Sequence, residues 1–305
     1  MVERVCVVGG GVIGSLFAGH LASVCDVSVL TRRREHATSL NAEGLRVSGK
    51  SERQARVVAS DDPRELPDPD VAIVATKAND LRHALAMLAG RYREATIVTV
   101  QNGLGAEEIV REHGAWPIVS GVTFMSGTRH SDTHVEYILD TETWLGPYED
   151  TPFARVQEIA DTIVASGLKA EALPDLRAAQ WSKLIFNSAV NTVAALTGLP
   201  HDPHFAAEEE PTDLGHLVHG LVDEGKAVAE ALGIQLHDDP WEMNVLATRR
   251  GSAHYPSMLE DVEGDRPTEI DLITGSLVRE AERREIPVPL SRAMVALVKG
   301  REAAA

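Results

Sequence analysis

Three polar residues, Lys183, Asn187 and Asn191, recur at four-residue intervals in an otherwise apolar stretch. The apolar positions Leu176, Ala179, Trp181, Leu184, Ile185, Phe186, Val190, Val193 and Leu196 predict a helix over 175–197, and on a helix the three polar residues share one face. A cation with a transferable proton beside amide donors is the combination that stabilises negative charge developing on a substrate oxygen. Polar groups on so apolar a helix are costly when buried without partners, so the stripe faces a wet cleft or a ligand. The same spacing also allows a solvated surface stripe, and Ser188 and Thr192 form a second small row that could bond back to the backbone.

A second cluster lies at the amino end. Gly9, Gly10, Gly11, Val12, Ile13 and Gly14 fit G-x-G-x-x-G directly after the strand-like Val5–Val8 and before a helical 15–24. That context marks a dinucleotide-binding turn: the glycines allow close approach of backbone to pyrophosphate, and the helix N-terminus favours its charge. At the end of the next strand, where a carboxylate would hold the ribose 2′-hydroxyl of NAD, the chain reads Thr31-Arg32-Arg33-Arg34. A guanidinium there suits a 2′-phosphate, which predicts NADP(H), with Arg32 as the favoured contact because it comes first. Two further turns, Thr76-Lys77-Ala78-Asn79-Asp80 and Gln101-Asn102-Gly103-Leu104-Gly105, follow strand-like runs and so fall at the carboxyl ends of strands, where open α/β sheets bind ligands.

The elements that must position these groups divide into two halves. Short β-branched runs alternate with helical segments over the first 170 residues, the pattern of a doubly wound parallel sheet of the Rossmann type. Strands are predicted at Arg4–Val8, Val27–Thr31, Val71–Thr76, Thr96–Val100 and Ile118–Thr123, with antiparallel character over His134–Leu145 and a helix over Phe153–Ser166 closed by Gly167. After Pro174 the periodicity is helical throughout, with helices predicted at 175–197, 213–232, 241–250, 268–284 and 291–299. The expected fold class is therefore α/β, with an NADP-binding Rossmann domain over 1–170 and a second, all-α substrate domain over 171–305.

Composition narrows the function. With 44% hydrophobic and 25% charged residues the 305-residue chain is globular, and its net charge of −17 opposes phosphate-backbone binding, so nucleic acid is not an expected partner. The run Glu208-Glu209-Glu210 reads as a solvated loop and the final Ala303-Ala304-Ala305 as a frayed end. Cys6 and Cys25 lack metal-ligand spacing and read as buried thiols; no metal is expected. No apolar run reaches the roughly 20 residues that span a bilayer, and Met1 leads straight into a strand, so a cytoplasmic protein without membrane association is expected.

Downstream, Ser257-Met258-Leu259-Glu260-Asp261 and Arg266-Pro267-Thr268-Glu269-Ile270-Asp271 read as a turn and a helix start, Thr268 capping and Glu269 and Asp271 favouring the positive end. Taken in order, Gly9–Gly14, Thr31-Arg32, Thr76-Lys77-Ala78, Gln101–Gly105, Gly121-Val122-Thr123, Lys183-x3-Asn187-x3-Asn191, Ser257-Met258-Leu259 and Thr268-Glu269-Ile270-Asp271 resemble the successive signatures of the 2-dehydropantoate 2-reductases, or ketopantoate reductases. The resemblance covers nearly the whole chain. It implies NADPH on the Rossmann domain, a 2-oxo acid in the cleft between the domains, and reduction of 2-dehydropantoate to (R)-pantoate in pantothenate biosynthesis, on the coenzyme A pathway. By that similarity Lys183 is the general acid, and Asn102, Asn187, Asn191 and Ser257 orient the substrate. Glu269 contacts the nicotinamide ribose or positions Lys183, Arg32, Lys77 and Asn102 contact the cofactor with a backbone contact near Gly127, and Glu224 supports the site from behind. A homodimer is the candidate assembly. The chain departs from well-studied members at Leu199-Pro200-His201, where they place an Asn beside a Pro. The competing expectations are a reductase of another branched or hydroxylated 2-oxo acid, and a nicotinamide-binding regulator without turnover, which intact Lys183 and Glu269 disfavour.

Overall fold

Side chains along a strand point alternately to opposite faces, and in β1 (Arg4–Val8) both faces are buried. Val5 and Val7 join one apolar cluster, Cys6 and Val8 another. A strand covered on both sides belongs inside a parallel sheet layered by helices. The computed structural model, which describes residues 2–208, 214–249 and 255–304, shows that sheet.

In chain order its strands are β1, β2 (Asp26–Leu30), β3 (Leu45–Gly49), β4 (Arg53–Ala55), β5 (Val58–Ser60), β6 (Val71–Val74), β7 (Thr96–Thr99), β8 (Ile118–Thr123), β9 (Ser126–Ser131), β10 (His134–Leu139), β11 (Thr143–Tyr148) and β12 (Ala170–Ala172). The main sheet runs β12-β11-β8-β7-β6-β1-β2-β5, parallel from β5 to β8, with β11 antiparallel to β8. The helices α1 (Val12–Leu21), α2 (Arg34–Glu43) and α5 (Phe153–Ala165) contribute to one cluster, while α3 (Ala78–Leu88) and α4 (Ala106–His113) contribute to the other. A smaller sheet, β4-β3-β10-β9, packs against α1. Helix α1 is thereby enclosed, and every residue from Gly14 to Leu21 is buried.

Two compact units emerge, one of residues 1–101 and 106–176, the other of Arg177–Ala305 together with Asn102–Gly105. The second unit is helical: α6 (Arg177–Thr197), α7 (Leu214–Ala231), α8 (Pro240–Thr248), α9 (Ser257–Glu263), α10 (Thr274–Arg283) and α11 (Pro289–Glu302). The 21-residue α6 is its axis, packed by each of the other five. Among the described residues no helix is long and apolar enough to cross a membrane.

The structure corrects several expectations. The antiparallel character expected over His134–Leu145 is present, β10 pairing with β9 and β11 with β8, but in two sheets: β10 joins the small one, while β11 returns to the main one. Residues 257–261 are helical rather than a turn, forming most of α9. The helix expected from Thr268 begins only at Thr274, because Thr268, Ile270 and Ile273 are all buried in a run of turns that a continuous helix would not place inward together. Thr268 Oγ1 instead accepts from the Ile270 amide at 3.3 Å. Cys6 is a buried free thiol, and Cys25 is free and half-buried. Glu208 is described and accepts from His219 Nδ1 at 2.7 Å. Glu209, Glu210, the start of the helix expected at 213–232, Arg250 and Ala305 lie outside the described residues.

Candidate active site

The glycine turn is shaped by backbone contacts. Gly9 holds φ +106°, a region L side chains avoid, and its amide donates to the Leu30 carbonyl at 2.9 Å. A Cβ at Gly14 would overlap the Gly9 carbonyl oxygen, whereas one at Gly11 would meet nothing within 4 Å. The loop is thus closed beneath and open at Gly11, with the amino end of α1 beginning at Val12 and Ile13. That arrangement fits a phosphate group. Gly127 on β9 lies against α1: a Cβ there would sit 3.0 Å from Val12 Cγ1.

The turns after β1, β2, β6 and β7 sit at the carboxyl ends of four neighbouring parallel strands. Gln101 Nε2 donates to the Val74 and Thr76 carbonyls at 2.8 and 3.0 Å, tying the β7 end to the β6 turn. Its Oε1, and the Thr76 hydroxyl, are buried with no hydrogen-bond partner among the described residues. Unsatisfied polar atoms at the strand ends suit a polar ligand. Lys77 is exposed at the N-cap of α3. The Arg32 side chain is 71% exposed and its Nη1 lies 3.2 Å from Asp80 Oδ2. An exposed ion pair of this kind contributes about 0–1 kcal/mol, so the guanidinium can turn to a phosphate dianion at little cost.

In the second unit, α6 presents the polar stripe. Lys183 and Asn187 are half-buried and Asn191 is only 5% exposed, so burial deepens along the stripe towards Asn191. In the second row Thr192 Oγ1 bonds back to the Ser188 carbonyl at 2.6 Å. Burial pulls the Lys183 ammonium down from the ordinary 10.5 to about 8, and the negative charge of Glu269 is the opposing influence. Glu269 is 8% exposed and accepts from Asn102 Nδ2 at 3.1 Å. Asn102 is held by its own loop, whose Leu104 amide donates to the Leu272 carbonyl at 2.9 Å. A half-buried cation whose charge is weakened, a carboxylate opposing its deprotonation and the amides of Asn187 and Asn191 on the same helix face are the groups an acid needs to give up a proton and be recharged.

Other candidates are placed differently. Ser257 is exposed, as the first residue of α9. Glu224 is absorbed by folding: it accepts from the Leu290 and Ser291 amides at 2.7 and 2.8 Å and from Ser291 Oγ at 2.7 Å, satisfying orphan donors at the start of α11. His201, at the departure from the family pattern, is 2% exposed, with Nε2 2.8 Å from Asn244 Oδ1 and its ring edge-on to Phe186 and Phe205. The pairing of Asn102 with Glu269, 167 residues apart, left no signal in local sequence.

The stripe carries its own test. Asn187→Ala and Asn191→Ala are each expected to raise the substrate KM about 5- to 100-fold, the loss of a hydrogen bond of about 1–3 kcal/mol, with the NADPH KM little changed. Steady-state kinetics with both substrates varied would show this, and an unchanged substrate KM with a lowered melting temperature would assign the stripe to folding.

Residues 5–150 match the family described as Ketopantoate reductase PanE/ApbA, and residues 175–302 match Ketopantoate reductase PanE/ApbA C terminal. The 2-dehydropantoate 2-reductase of Pyrococcus horikoshii is 29% identical over 301 residues, 98% of this chain and 97% of the relative. That of Halobacterium salinarum is 30% identical over 300 residues, 97% of this chain and 98% of the relative. Among solved structures, the PanE/ApbA family ketopantoate reductase from Ralstonia eutropha JMP134 superposes with a TM-score of 0.89 at 26% identity over 99% of both chains.

Proposed function

Because the chain belongs to the ketopantoate reductase family, we propose that it reduces 2-dehydropantoate to (R)-pantoate, the step that supplies pantoate for pantothenate. The family's members are NADP-dependent oxidoreductases acting on a CH–OH group, and this chain is one of them. The observation that carries the reading is Lys183, a half-buried lysine whose desolvation draws it down to about 8 against the opposing charge of Glu269.

The residues divide the work. Gly9, Gly10, Gly11, Val12, Ile13 and Gly14 hold the dinucleotide phosphates through backbone amides, Arg32 takes the 2′-phosphate, and Lys77 and the Gly127 backbone add contacts. NADPH, when bound, supplies the hydride that adds to the substrate's carbonyl carbon. Lys183 Nζ gives its proton to the carbonyl oxygen as charge develops there, is left neutral, and regains a proton from solvent. Asn187, Asn191 and Asn102 hydrogen-bond the substrate's carboxylate and hydroxyl groups, with Ser257 as a further contact. Glu269 keeps Lys183 charged in the resting state and reaches the nicotinamide ribose.

A second reading keeps the reaction and changes the substrate. His201 spends its Nε2 on Asn244 and its ring on Phe186, the neighbour of Asn187, so this stretch of α6 is lined by aromatic edge. That favours another branched 2-oxo acid. NADPH oxidation against a panel of 2-oxo acids separates the two: the highest kcat/KM is expected with 2-dehydropantoate, and a preference of tenfold or more for another acid would select the second reading. In the same assay NADPH should exceed NADH at least tenfold, the worth of a charge-assisted bond of about 1.5–3 kcal/mol, and Arg32→Asp should narrow or reverse the ratio. Equal use of both cofactors by the native chain would remove Arg32 from the 2′-phosphate.

A further inference from the structure

A histidine with no assigned role lies against the glycine turn. His36 stands in the first turn of α2, is 5% exposed, and its Nε2 is buried with no hydrogen-bond partner among the described residues. Its ring faces the second glycine: a Cβ built on Gly10 would lie 2.6 Å from His36 Cε1 and 3.2 Å from Nε2. The ring therefore occupies the space a side chain at position 10 would fill, and brings a nitrogen to the loop that holds phosphate.

The surroundings favour an anion. Asp132, between β9 and β10, is shared by Arg33, at 2.7 and 2.8 Å, and by Arg129. These three are the charged groups that act on His36, and with two cations to one anion the cluster carries net positive charge. Burial holds the imidazole below its usual value, opposed by the Asp132 charge and by a hydrogen bond to the Asp132 backbone and reinforced by Arg129 and Arg33; that backbone bond engages the other ring nitrogen, so Nε2 becomes a donor when an arriving anion recharges the ring. A buried ring nitrogen left without a partner is unfavourable, and a ligand oxygen beside Gly10 would remove that cost.

We propose that His36 is a cofactor-binding residue whose ring takes up a proton as the dinucleotide seats on the Gly9–Gly14 turn and donates from Nε2 to one of its phosphate oxygens. The inference rests on the dinucleotide reading of that turn. The phosphate has two sources, the 2′-phosphate and the pyrophosphate, and both meet the same donor chemistry.

The test is calorimetric binding of 2′-phospho-ADP-ribose, ADP-ribose and adenosine to the full chain, native and with His36→Leu or His36→Gln. The leucine variant should lose about tenfold in affinity for phosphorylated ligand and nothing for adenosine, while glutamine, which keeps a donor at that reach, should restore most of it. A loss confined to 2′-phospho-ADP-ribose puts the contact on the 2′-phosphate; an equal loss with ADP-ribose puts it on the pyrophosphate. The ligand-free leucine variant should melt no lower than native, since an unsatisfied nitrogen has been removed. Undiminished binding of both phosphorylated ligands to His36→Leu would overturn the proposal, as would a matching loss for adenosine with a lowered melting temperature. Failure of the native chain to bind either phosphorylated ligand would instead take down the dinucleotide reading itself.

Discussion

Lys183→Ala should lower kcat for 2-oxo acid reduction by at least ~10²-fold while leaving NADPH affinity within a few fold, because it removes both the proton and the charge that meet the developing alkoxide. The native enzyme must carry the lysine protonated, so its reductive kcat should fall as pH rises through about 8, and the variant should lose that limb. Stability moves the other way. The unfolded chain holds this lysine near 10.5 and the folded one near 8, so between those values the unfolded state binds more protons and stability rises with pH. Below about 8 the full cost is present, on the order of 3 kcal/mol for a shift of that size. Lys183→Met should therefore melt at or above the native temperature at pH 7. A folded, NADPH-binding Lys183→Ala enzyme with most of its kcat would remove the residue from the chemistry.

Glu269→Gln tests how that acid is tuned. The amide can still accept from Asn102 but no longer opposes deprotonation of Lys183, so burial acts alone and the lysine falls further. Loss of a neighbouring opposite charge moves a pKa by about 1–3 units, and a drop of one to two units would lower kcat roughly 5- to 50-fold at pH 8. The signature is recovery: the alkaline limb shifts to lower pH and the rate returns toward native on acidification. A loss equal at every pH would assign Glu269 to substrate or cofactor contact instead.

The parts of the fold legible in sequence are those whose burial is symmetric. Strands β1, β2 and β6 to β8 are β-branched runs buried on both faces, and they emerge from composition alone. The small sheet does not. Ser126–Ser131 is mostly exposed and polar, Arg53–Ala55 buries one residue, and β3 pairs with β10 across nearly ninety intervening positions, so no local pattern marks them. The stripe on α6 is readable because helical period alone aligns Lys183, Asn187 and Asn191; burial of Asn191 takes that end of it away from bulk solvent. At Thr268 the capping pattern misled, since burial of Ile270 and Ile273 overrode a local preference worth about 1 kcal/mol. His36 was missed for the opposite reason: after Arg32, Arg33 and Arg34 it passes for one more residue of a basic turn.

The enclosure of α1 between two sheets has a thermodynamic consequence. The helix that ends the glycine turn is wedged so tightly that a side chain at Gly19 would stand 2.5 Å from Val47 Cγ2 of the small sheet. Its amide groups are already oriented before any anion arrives, so association spends little conformational entropy on ordering the receptor. At Val47, which belongs to no proposed cofactor contact, the small sheet would thus act on affinity by narrowing the ensemble of the free protein, and a loosened contact there would weaken cofactor binding through entropy while every hydrogen bond to it stayed in place.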